Sequence, residues 1–117
     1  MYIRNFEDLQ VWQKAHELVK LIYTDKNFNI PAHEKYGLES QLKRAAISVP
    51  ANIAEGCRRQ HEKELVQFLS VALGSLSEVR YYLILCKDIG YISETKYRNL
   101  HNKCIELDKM LDRLVHK

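Results

Sequence analysis

LVQFLSVALGSLSEVRYYLILC, Leu65 to Cys86, decides the fold class. Within it Leu65, Leu69, Ala72, Leu76, Val79, Leu83 and Cys86 recur at alternating steps of four and three. That spacing holds one stripe of a helix against a neighbour, whereas a half-buried strand would alternate at every second residue. A second row, Phe68, Val71, Ser75, Tyr82, Leu85 and Ile89, makes the apolar arc wider than a single seam. Something beyond the helix's own bundle is therefore expected to cover part of it. Further along, Tyr97, Leu100, Cys104, Leu107, Leu111 and Leu114 repeat the same rhythm.

Working outward, a third helix is expected from near Glu62 to Gly90, where glycine can take the left-handed conformation that ends a helix. A fourth starts after Ser93, an N-cap residue, and runs to the chain end. Upstream, a first helix is expected after Asn5, running to about Lys26, with Leu9, Trp12, Ala15, Val19 and Ile22 inward; Pro31 then breaks the chain. A second resumes near Glu34, carries Leu38, Leu42, Ala45 and Val49, and stops at Gly56. The short links at residues 57–61 and 90–93 make sequential helices antiparallel neighbours. The predicted fold is all-α: an antiparallel up-down-up-down four-helix bundle with a kinked helix 2, a single domain over residues 1–117.

Composition agrees. The chain has 117 residues, of which 46% are hydrophobic and 28% charged, with only four Gly and two Pro, too little turn material for an all-β fold. No uninterrupted apolar run approaches the roughly 18 residues of a membrane span, and the N-terminus lacks a signal-peptide pattern. A soluble, cytoplasmic protein with no membrane partner is expected. Three cysteines at irregular spacing fit reduced thiols better than a disulfide framework.

The stretch SVPANIAEG, Ser48 to Gly56, breaks the rules of a plain helix. Pro50 removes one backbone hydrogen bond and clashes with the carbonyl of Ala46, so the helix should kink. Asn52 lies three residues past Val49, which puts an amide at a core or interface position, where it needs partners. Two arrangements satisfy the residues. The stretch is a kinked helix end with a glycine cap, or Arg44, Ser48, Asn52, Glu55 and Glu78 form a structural polar layer between helices 2 and 3.

Chemistry-bearing motifs are absent from the sequence. It has no phosphate-binding glycine loop, nucleophile elbow or paired-histidine helix motif, so no catalytic residue, metal or cofactor is expected and the protein is read as a non-enzyme. Cys57 with His61, and His101 with Cys104, supply two ligands each, too few for zinc. Cations do cluster. Lys43, Arg58, Arg59 and Lys63 surround the end of helix 2, and Lys109, Arg113 and Lys117 fall at the same end of an up-down-up-down bundle. They are candidate nucleic-acid-binding residues, although the formal charge of +3 makes one copy a weak polyanion binder.

FEDLQVWQKAHEL, EKYGLESQLKRAAISVPANIAEG, FLSVALGSLSEV and GYIS together resemble the four-helix-bundle family encoded by intervening sequences of bacterial 23S ribosomal RNA genes. The same bundle is similar to the accessory variability protein of diversity-generating retroelements, which works with a reverse transcriptase and its RNA. The resemblance implies a homopentamer with a basic surface for RNA or RNA–DNA. It places the family pattern on Arg44, Ser48, Pro50, Asn52, Ile53, Glu55, Gly56, Gly74, Ser75 and Glu78, all architectural in character. The alternative function is a protein-interaction scaffold that does not touch nucleic acid.

Overall fold

The computed structural model describes residues 5–26 and 28–116. Its α-helices are α1 (Gln10–Thr24), α2 (Leu38–Cys57), α3 (Glu62–Asp88) and α4 (Glu94–Val115). The packing is antiparallel: α2 lies between α1 and α3, and α4 packs on α3 and closes against α1. At about 1.5 Å per residue the 27 residues of α3 reach about 40 Å, nearly the whole 43 Å long axis. The entire seam from Leu65 to Cys86 is buried, as are Leu100, Cys104, Leu107 and Leu111 of α4. By length and composition alone α3 could cross a membrane; here its seam lies in the hydrophobic core with α2 and α4.

Helix ends follow local chemistry where that chemistry is strong. The Ser93 hydroxyl accepts from the Lys96 amide at 3.1 Å and caps α4. Gly90, at φ 83°, ends α3 and turns the chain so that the Tyr91 amide donates to the Cys86 carbonyl at 2.7 Å.

Four expectations need correction. Asn5 makes no side-chain cap; Phe6–Asp8 is a 3₁₀ turn, and α1 begins only at Gln10. Phe6 meets Trp12 edge-on at 5.0 Å, and this aromatic contact goes with a separate entry turn ahead of the helix. The buried stripe of α1 is Val11, Ala15, Leu18 and Ile22, rotated so that Leu9, Trp12 and Val19 only flank it. Helix 2 does not resume at Glu34: Ala32–Glu34 is another 3₁₀ turn, and Gly37 at φ −111°, ψ −109° interrupts helical geometry before α2 starts at Leu38. Gly56 is not the stop, since α2 runs through it to Cys57, and Gly90 is the only positive-φ glycine among the described residues. α2 does bend around Pro50, which lies inside the helix.

At the end opposite the α2–α3 link, the loops tie the helix pairs together. Lys96 at the start of α4 forms an ion pair with Asp25 at the end of α1. The Asn29 amide donates to the Tyr91 carbonyl at 2.8 Å, and the Tyr91 hydroxyl donates to Glu34 Oε2 at 3.3 Å. Burial first, and the Glu34 carboxylate second, raise the Tyr91 pKa, which keeps that donor protonated.

Candidate assembly and nucleic-acid interface

The signature stretch of α2 lies along its groove with α3. Ser48 Oγ and Ser75 Oγ are 2.7 Å apart, a hydroxyl pair that fixes the register of the two helices. Asn52 Nδ2 donates to the Ser48 carbonyl at 2.8 Å and to Ser48 Oγ at 2.9 Å. The amide thereby occupies the turn that Pro50 disturbs. Ile53, fully buried, continues the apolar stripe, and Asn52 stands half-buried beside it.

Of the five residues assigned to a polar layer, the fold brings together Ser48 and Asn52. Arg44, Glu55 and Glu78 are exposed, and Glu55 is engaged instead with Arg59 at 2.7 Å. Ser75 was missing from the predicted layer. Its signal was a hydroxyl in the otherwise apolar second row of α3, but which hydroxyl of α2 it would meet depends on register. Gly56 serves the same contact by close approach: a Cβ there would stand 3.0 Å from Phe68 Cβ and 3.1 Å from Leu65 Cδ1.

Outside the groove the α2–α3 surface is apolar and thinly charged. Val71 and Tyr81 of α3 are 52% and 58% exposed, and Ile47 of α2 is 44% exposed. No charged residue occurs from Leu65 through Ser77. Large exposed apolar groups gathered on neighbouring helices mark surfaces that meet another body.

The cations are arranged differently. Arg58, Lys63, Lys109 and Arg113 are exposed at the end where α2 gives way to α3 and α4 finishes. Arg59 is at that end too, but its guanidinium is held by Glu55 and lies 4.7 Å from the Phe68 ring centre. Glu62, Glu64 and Asp112 stand among these cations, so the rim carries both signs. Lys43 is elsewhere: fifteen residues before Arg58 on the same helix puts it about 22 Å away, beside Glu39 and over the Tyr23 ring. Lys117 lies outside the described residues.

The thiols have no nucleophile's surroundings. All three are buried, and burial pushes Cys104 up to about 12 and Cys86 up to about 11. In the native protein these two should be alkylated at neutral pH more than about tenfold more slowly than in urea, by mass spectrometry. Equal rates would show that the core opens readily. Among the described residues no three His, Cys, Asp or Glu side chains gather as a metal site would require.

Residues 7–113 match the family model described as 23S rRNA-intervening sequence protein. The chain belongs to this family. The match spans α1 to α4, and the Ser48–Asn52 turn lies within it. A crystal structure from Bacteroides thetaiotaomicron, described as a protein of unknown function from the S23 ribosomal protein family, is similar at 25% identity. It superposes with a TM-score of 0.83 over 92% of this chain and 99% of that one. No protein of curated function is detectably similar.

Proposed function

We propose that this member of the 23S rRNA-intervening sequence protein family is a non-enzymatic cytoplasmic assembly module, whose copies join through the α2–α3 face into a homo-oligomer. The exposed, nearly charge-free surface around Val71, Tyr81 and Ile47 carries the proposal, because a monomer gains nothing from leaving it wet. The family resemblance sets the expected number of copies at five. Light scattering at micromolar concentration should give a multiple of the 13.8 kDa chain mass; a monomer mass would sink the proposal.

RNA, or an RNA–DNA intermediate, is the second element. Arg58, Lys63, Lys109 and Arg113 form no ion pair among the described residues, and assembly would repeat them around one end. Five copies at +3 give +15, enough for many weak phosphate contacts to add. The likeness to the retroelement accessory protein points the same way. Arg58→Glu with Arg113→Glu should weaken retention on RNA and flatten its salt dependence, with the assembly mass unchanged. Base discrimination should be weak. If wild-type protein ignores RNA at low salt, the protein-interaction scaffold stands alone.

A further inference from the structure

Arg44 and Glu78 are placed at nearly the same height on the α2–α3 face. The Ser48–Ser75 hydroxyl pair sets the level. Arg44 lies four residues before Ser48, and Glu78 three residues after Ser75 on the antiparallel helix, so both fall about one turn from that pair in the same direction. Both side chains are exposed, and neither makes an ion pair or hydrogen bond among the described residues. One charge of each sign thus flanks a surface otherwise built of Val71, Tyr81, Ile47 and Gly74. Gly74 adds a second sign of an external neighbour: a Cβ there would meet nothing within 4 Å, so the fold itself gives no reason for a glycine inside α3.

We propose that Arg44 of one copy pairs with Glu78 of a second copy, and that this pair sets which way copies dock. The inference rests on the assembly proposal. In a ring of five copies the α2 edge of one copy meets the α3 edge of the next, and a ring whose axis runs along the bundle keeps heights, so Arg44 and Glu78 at one level meet across every contact; a foreign partner would have to supply both signs at the same spacing. Charge pairs beside an apolar contact contribute more to specificity than to bulk affinity, because a wrongly docked copy brings like charges together.

The test uses the full chain and three variants: Arg44→Glu, Glu78→Arg and the two changes in one chain. Each is on an exposed helix position, and far-ultraviolet circular dichroism should match wild type. Analytical ultracentrifugation should show self-association weakened about tenfold or more in each single variant. Mixing the two single variants should restore most of the association, because all but one contact of a mixed five-membered ring then joins opposite charges, with both chains in the same particles by native mass spectrometry. Single variants that assemble like wild type would overturn the pair. Rescue by the same-chain double variant but not by mixing would also overturn it, since the pair would then act within one copy. A monomeric wild type would refute the assembly proposal itself and this inference with it.

Discussion

Gly56→Val is expected to lower stability by about 3 kcal/mol, the upper range for forcing volume into a filled contact. The added Cβ would stand 3.0 Å from Phe68 Cβ, 3.1 Å from Leu65 Cδ1 and 3.4 Å from the Leu65 carbonyl oxygen. The methyl end of Leu65 can turn away, but Phe68 Cβ and the Leu65 carbonyl move only with the backbone of α3. Relief therefore means separating α2 from α3 at the base of the groove, which also pulls on Ser48 and Ser75. For a chain of this size the loss should appear as a fall in melting temperature of about 10 °C. Gly90→Ala gives the contrast. Gly90 has open space but φ 83°, so its penalty is backbone strain of about 1 kcal/mol. A Gly56 variant that melts like wild type would show that the helices are not in close contact there.

Lys96→Met should also remove about 3 kcal/mol, through charge instead of volume. The side chains of Lys96 and Asp25 are only 16% and 6% exposed, and they join the start of α4 to the end of α1. Methionine keeps most of the aliphatic length and leaves the carboxylate buried without its ammonium. Removing one member of so buried an ion pair, while the charge of the other stays in place, is the costly way to break it. Asp25→Asn combined with Lys96→Met should recover part of the loss, because both charges of the pair are then removed together. Urea unfolding checks both variants. A single variant as stable as wild type would mean that water reaches the carboxylate freely.

The seams of α3 and α4 were legible because a repeat of four and three is written directly into residue order. So were the Ser93 cap and the Gly90 turn, each a local device that needs only its neighbours. The helix starts near Asn5 and Glu34 were misplaced where a side-chain contact outside the cap or an unusual backbone outweighed propensity: Phe6 against Trp12, and Gly37 outside helical geometry. Gly56 illustrates a deeper limit. A glycine near a helix end can serve a left-handed turn or a close approach, and only the position of α3 decides. The polar turn was half legible for the same reason. Asn52 and Ser48 are one helical turn apart, so their bond is local, but Ser75 arrives from another helix. Arg58, Arg59, Lys63, Lys109 and Arg113 fall at one end and Lys43 does not; the carboxylates interleaved with them were visible in the sequence, but Arg59's partner required the Glu55 rotamer.

Pro50 has a consequence in time as well as in shape. Every peptide bond of the described residues is trans, including the Val49–Pro50 bond inside α2. In an unfolded chain such a bond drifts to cis in roughly 10–30% of molecules. A cis bond there cannot lie in a helix, so those molecules must wait before α2 can form and meet α3. Chains unfolded for minutes should refold with a slow phase of about 10–100 s, while chains unfolded for less than a second should not. The residue that bends the finished helix would then also govern how fast a chain released from denaturant becomes able to join its neighbours.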